Sequence, residues 1–219
     1  MKLRVLGSGS SGNCYVLENE TEALIIEAGI PFMEVKKILN FNVRKIAGVV
    51  VSHSHGDHAK YISEYEKAGI PVFKPYEREE CVVFPNCQFL VQAFDLVHDV
   101  PCYGFFIKHP EMGNLVYASD TEYIKWRFRN VNHILVEANY SNDYMGQIEP
   151  SYDHVLRGHM SIETVGDFLR VNDSPALKNV VLCHLSARNA DAGDFVRRVK
   201  EIVDCPVYAA ERGLEVDVN

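Results

Sequence analysis

Between Val49 and Tyr61 the chain reads VVVSHSHGDHAKY, and four residues able to hold a metal, His53, His55, Asp57 and His58, fall within six positions directly after an apolar run. A metal ion needs donors that converge, and neutral imidazole is the commonest nitrogen donor for Zn, Mn or Fe. On an extended loop His53 and His55, separated by one residue, point the same way. Asp57 and His58 follow Gly56, where the chain is free to turn, and can address a second point in space. One loop thus offers two ligands to each of two metals. A solvated surface turn would tolerate histidines, but it does not call for four such residues against a strand end.

The elements around this loop can be read from periodicity and turn residues. Runs of apolar and β-branched residues at Lys2–Leu6, Cys14–Glu18 and Ala23–Glu27, separated by Gly, Ser or Asn-Glu signals, predict a hairpin-linked meander. Pro31 suits a first helical turn, and Phe32, Val35, Ile38 and Leu39 recur at helical spacing before a buried strand over Ile46–Val51. A helix is expected from about Ala59 to Ala68, followed by strands at Pro71–Phe73, Phe89–Val97, Tyr103–Lys108 and Leu115–Ala118. The last third alternates: strand His133–Glu137, helix Ser161–Val171, strand Asn179–Cys183, helix Ala192–Val203, strand Pro206–Ala209. In that last helix Phe195, Val196, Val199, Ile202 and Val203 form an apolar stripe for the core, with Arg197, Arg198 and Lys200 facing water. Two β-rich halves, each covered by helices, imply an α/β, four-layer αββα sandwich.

At 219 residues the chain suits one domain over 1–219, since single cores grow efficiently up to roughly 250 residues. It has no membrane-length apolar run and no signal-peptide pattern, so a soluble, cytoplasmic protein is expected. Six cysteines, Cys14, Cys81, Cys87, Cys102, Cys183 and Cys205, show no CxxC pair and read mostly as small buried residues. The formal charge of -8 excludes a global basic footprint for duplex binding and leaves room for a local basic groove. Tyr61, Tyr140, Tyr144, Tyr152 and Trp126 could stack bases but read first as packing or rim residues.

The HxHxDH spacing resembles the first metal motif of the metallo-β-lactamase fold family. That resemblance implies where further ligands lie: His98 in FDLVHDVPCYGFFI, Asp120 in LVYASDTEYI and His184 in VVLCHLSARN, all in the family's order. It assigns His53, His55 and His98 to one divalent ion, Asp57, His58 and His184 to the other, and Asp120 as the bridge, over about residues 3 to 210. The cofactors implied are two divalent ions, Zn or Mn. His109, His133 and His154 match no ligand position. One departure is that LIIEAGI carries Glu27 where the family usually has an Asp bracing the histidine loop; a longer side chain with a shifted backbone could make the same hydrogen bonds.

The fold hosts several chemistries, so activity must come from the site. His55 stands where redox di-iron relatives carry Glu, which argues for a hydrolase, and Asp120 argues against a lactamase. LGSGSSGNCYVL, ILVEANY, RGHMSIETV and CHLSARN resemble phrases of the WalJ/YycJ group of bacterial exonuclease-like proteins, and more distantly tRNase Z. The resemblance implies a dinuclear phosphodiesterase or 5′ exonuclease acting on a nucleic acid or nucleotide phosphodiester. Two ions sharing a water would supply a bridging hydroxide at neutral pH. Glu137 and His159 would take the places of a cooperating pair, with His159 as general acid, and Asp57 would join them as a catalytic carboxylate. Ser186, Arg188 and Asn189 could grip a phosphate or merely form a solvated loop. The chain is shorter than is usual for the group and shows no obvious exosite arm for tRNA, which disfavours tRNA maturation. A thioester or lactone hydrolase of the same fold is the alternative, and a non-catalytic metal or nucleotide sensor a third reading.

Overall fold

The computed structural model describes residues 1–77, 82–84, 87–144 and 158–219. One mixed sheet contains β1 (Lys2–Gly7), β2 (Cys14–Glu18), β3 (Ala23–Ile26), β4 (Ile46–Val50), β5 (Val72–Phe73) and a last strand, β13 (Glu215–Asp217), in the order β13-β1-β2-β3-β4-β5. The other contains β6 (Val82–Val83), β7 (Leu90–Leu96), β8 (Cys102–His109), β9 (Gly113–Ala118), β10 (His133–Glu137), β11 (Asn179–Cys183) and β12 (Val207–Ala209), in the order β12-β11-β10-β9-β8-β7-β6. The expected meander is present, β1 to β2 and β2 to β3 both pairing antiparallel.

The layering follows from strands buried on both faces, which read as continuous apolar runs. On β2, Tyr15 and Leu17 point into the core between the sheets, while Cys14 and Val16 join a second core against α1 (Phe32–Ile38) and α3 (Ile62–Lys67). On β10 and β11, Leu135 and Val181 face the inter-sheet core. Ile134, Val136, Val180 and Leu182 instead pack with Val165 and Leu169 of α4 (Ile162–Asn172) and Phe195 and Val199 of α5 (Ala192–Lys200). The result is the αββα sandwich. Ser161 and Asp191 start the two long helices by accepting amide N–H bonds three residues on.

Several details depart from the sequence reading. The helix expected over Ala59–Ala68 is two pieces, α2 (Gly56–Ala59) and α3, because the Tyr61 amide leaves the helix to bond the Ala28 carbonyl at 2.9 Å. Helix α5 stops at Lys200 rather than Val203. Arg198 does not simply face water: it pairs with Asp143, Glu163 and Asp194 and ties α5 to α4 and the loop after β10. The short strands β6 and β13 were not legible in the sequence.

Strand direction places the site. β3, β4 and β5 run parallel, as do β9, β10, β11 and β12. β7 runs with β9, since each is antiparallel to β8. The loops leaving the carboxyl ends of β4, β7, β9, β10 and β11 therefore meet, as ligand-binding loops do in parallel sheets.

Candidate metal centre

His53 follows β4, and His55, the residue before α2, has extended backbone, with the two rings side by side as the spacing predicts. Their centroids lie 4.8 Å apart, and those of His53 and His98, after β7, 5.0 Å apart. The His98 Nε2 and His55 Nδ1 atoms face each other at 3.3 Å. With Asp120 these three histidines bring ligand atoms within 4.8 Å of one another. Burial holds His53 below its ordinary pKa and pushes His98 down to about 4, keeping both imidazoles in the neutral form that binds metal.

Helix α2 turns Asp57 and His58 toward a second point, where His184, after β11, meets them; with Asp120 this set also lies within 4.8 Å. Asp120 belongs to both. Its Oδ2 is 3.3 Å from His53 Nε2 and 3.1 Å from His58 Nε2, and its Oδ1 is 3.2 Å from His184 Nδ1. Burial opposes charge on Asp120, but His58 and His184 outweigh it and hold the carboxyl well below its usual range. At His184 burial likewise opposes the proton, and Asp120, Asp57 and Glu137 override it, lifting the pKa to about 10.

Further residues hold these side chains. Glu27 is fully buried; its carboxylate accepts from the Ser52 amide at 3.3 Å and lies 3.4 Å from His58 Nδ1. The longer side chain thus reaches the histidine loop, with its backbone at φ 67°. Sequence reasoning missed three others. Asn13 Nδ2 contacts His58 Nε2 at 2.9 Å, and its amide donates to the Asp57 carbonyl at 2.7 Å. Ser8 Oγ accepts from the His184 amide at 2.9 Å. Asp99 sits 3.1 Å from His98 Nε2 and 3.5 Å from His55 Nε2. The Gly-Ser stretch from Gly7 to Asn13 was the signal for the first two; Asp99 had none beyond adjacency to His98.

Glu27, Asp120 and His184 all adopt left-handed backbone, at φ 67°, 55° and 52°. Each such residue costs on the order of 1–3 kcal/mol and persists where surroundings demand it. Here each residue turns sharply at a strand end so that its side chain enters the cluster.

Glu137, at the end of β10, is fully buried. Its Oε1 lies 2.6 Å from His159 Nδ1 and 3.0 Å from His184 Nδ1, and its Oε2 accepts from the Thr121 and Met160 amides. His159 is pinned there by backbone bonds from Asn139 to Met160 and from Ile162 to Tyr140. Burial disfavours the His159 cation, but Glu137 reverses this and raises its pKa. Asp120, Glu137, His159 and His184 form a third compact set of possible ligands. Ser186 closes a turn by accepting from the Arg188 and Asn189 amides at 3.3 and 3.2 Å, and Arg188 is exposed. The Ser186 hydroxyl is engaged within the turn, and Arg188 is the exposed side chain of the three.

His109 pairs with Glu22 and His133 bonds Asn179 and Met112, so both are packing residues. His154, Tyr152 and Cys81 lie outside the described residues; the other five cysteines are free. The donor sets fit divalent ions. His53 Nε2 is buried without a hydrogen-bond partner among the described residues and points at Asp120, as a ligand nitrogen would. Side chains of His55 and Asp57 are 36% and 21% exposed whereas those of His53, His58 and Asp120 are 0 to 3%, so the cluster opens to solvent past the first two. No helix among the described residues is long and apolar enough to cross a membrane.

Comparison with known proteins agrees with this fold. The family model of the metallo-beta-lactamase superfamily matches residues 7–85. The chain is 24% identical to exodeoxyribonuclease YycJ of Bacillus anthracis over 217 residues, covering 84% of this chain and 82% of that protein. Among solved structures, the metallo-beta-lactamase fold protein YhfI of Bacillus subtilis superposes with a TM-score of 0.70 at 16% identity, covering 98% of each chain. The short form of human tRNase Z does so with a TM-score of 0.63 at 16% identity, covering 100% of both. In this fold and in its match over residues 7–85, the chain is similar to the metallo-beta-lactamase superfamily.

Proposed function

We propose that the protein is a dinuclear metal-dependent phosphodiesterase that removes nucleotides from a nucleic acid end, in the manner of a 5′ exonuclease. The observation that carries this reading is Asp120, one carboxylate reaching both histidine clusters. His53, His55 and His98 would hold one divalent ion, Asp57, His58 and His184 the other, with Asp120 shared. The likeness to an exodeoxyribonuclease along most of the chain supports a phosphodiester substrate. Zn and Mn both suit imidazole and carboxylate donors.

Bound metals would activate water and neutralise charge on the phosphoryl oxygens. The chain's own residues do the rest. Glu27 and Asn13 hold the His58 ring, Glu137 holds the His184 ring, and Ser8 holds the His184 backbone. With Nδ1 engaged by Glu137, His159 would pass a proton from Nε2 to the leaving oxygen, and Glu137 raises its pKa against the effect of burial, which favours the protonated form. Arg188 would meet a substrate phosphate at the rim. Asp57, the more exposed carboxylate of the cluster, would orient the attacking water.

A substrate panel tests this reading against a thioester or lactone hydrolase. Metal-loaded protein should cleave bis(p-nitrophenyl) phosphate and leave acyl thioesters intact. The reverse pattern would overturn the proposal, and tight metal uptake without turnover of either would favour a sensor.

A further inference from the structure

Beside the metal centre runs a groove of about 790 Å³ that the chemistry above does not use. Its floor is the outer face of β7 and β8, with Phe94 and Phe106, and its wall is the segment after Asp120, with Trp126, Arg127, Phe128 and Arg129. Phe128 locks the two together, its ring 4.9 Å from Phe94 and stacked at 5.7 Å on Phe106. Trp126 remains 42% exposed, held by an Nε1–H bond to the Asp95 carbonyl at 3.1 Å. Lys125 lies over one face of the indole, 5.1 Å from its centroid, and also pairs with Asp95.

We propose that this groove binds single-stranded nucleic acid, bases stacking on Trp126 and phosphates meeting Arg127 and Arg129. The proposal rests on the phosphodiesterase reading above and names where the strand beyond the cleaved nucleotide lies. Aromatic faces flanked by cations are the recurring single-strand platform. Arg127 and Arg129 are exposed and make no ion pair among the described residues, whereas Lys125 is already neutralised. On a chain of net charge -8, two uncompensated guanidiniums beside an exposed indole favour a polyanion with rings over an apolar peptide.

The segments that line the groove are joined to those that carry the candidate centre. Asp95 precedes His98 by three residues, roughly 10 Å along an extended chain. The segment after Asp120 is stitched to that stretch, the Val97 amide donating to Thr121 Oγ1 at 3.0 Å and the Glu122 amide to the Val97 carbonyl at 2.9 Å. Tyr103, which also lines the groove, donates its amide to the Ser52 carbonyl next to His53.

Trp126 is the chain's single tryptophan, so its emission reports the groove directly. Chelator-stripped full-length protein is titrated with 5′-phosphorylated oligothymidylate at several salt concentrations. Stacking should quench the emission. Arg127→Gln with Arg129→Gln should lower the slope of log affinity against log salt by roughly 1.4, two phosphate contacts at about 0.7 each. Trp126→Ala, followed by anisotropy of labelled oligonucleotide, should weaken binding about 5- to 150-fold. Unchanged emission at saturating oligonucleotide, or full affinity in both variants, would overturn the proposal. So would a response only to an acyl thioester or an apolar dye, which would make the groove an apolar ligand site. Hydrolysis of bis(p-nitrophenyl) phosphate by wild-type protein separates the two readings. Turnover without quenching condemns the groove alone, and quenching without turnover condemns the hydrolytic reading while the groove stands.

Discussion

Nδ1 of His159 lies 2.6 Å from Oε1 of the buried Glu137. The contact settles which ring nitrogen faces inward, and it sets the sign of the pH response. Glu137 raises the His159 pKa against the effect of burial, so a general acid here stays protonated further into the alkaline range. His159→Ala should lower turnover about 10²- to 10⁴-fold with bound metal unchanged. Equal loss of metal would make His159 a ligand instead. Glu137→Gln should move the alkaline limb of the rate profile to lower pH, read from kcat against pH.

Metal uptake should expel protons. Without metal, His184 titrates near 10 and His58 well above its ordinary value, because nearby carboxylates outweigh burial at both. Ligation requires them neutral, so apparent affinity should rise with pH from 6 to 9, with proton release measurable by calorimetry in buffers of different ionisation enthalpy. Flat affinity over that range would contradict the assignment of these two residues as ligands.

Glu27 should tolerate neither shortening nor neutralisation. Glu27→Asp withdraws the carboxylate from the Ser52 amide and His58 Nδ1, and Glu27→Gln removes its charge. Residues that orient metal ligands typically cost 10- to 100-fold in metal affinity when changed. Equilibrium dialysis should show that loss in both variants.

Gly29 marks a close approach where no side chain fits. A Cβ there would lie 1.8 Å from the Asp57 carbonyl oxygen and 2.6 Å from the Asn13 amide nitrogen. Gly29→Ala must therefore push apart the two segments that hold Asp57 and His58. Destabilisation on the order of 1–3 kcal/mol, read from denaturant midpoints, should accompany loss of metal from the Asp57, His58 and His184 set.

Much of this was legible in the sequence because the signals are dense and local. HSHGDH declares itself by residue type and spacing, and the doubly buried strands β10 and β11 declare themselves as apolar runs. His98, Asp120 and His184 carry no local pattern and were reached through resemblance. What stayed hidden depends on contacts distant in sequence. Asn13 reaches His58 across 45 positions, and Ser8 meets His184 across 176. The left-handed turns at Glu27, Asp120 and His184 could not be foreseen, since Asp and His visit positive φ only occasionally and Glu less often still. Arg198 read as a solvated charge because its partners Asp143 and Glu163 come from other elements. Strand β13 is too short to show a period, and it exists because the edge of β1 offers it partners.

The most direct test is hydrolysis of 5′-phosphorylated single-stranded DNA by chelator-stripped protein reloaded separately with Mn and with Zn, alongside Asp120→Ala. The account predicts stepwise release of nucleotides by wild-type protein with at least one metal, none by the apoprotein, and none by Asp120→Ala. Silence with both metals in a protein that binds two ions, or undiminished release by Asp120→Ala, would contradict it.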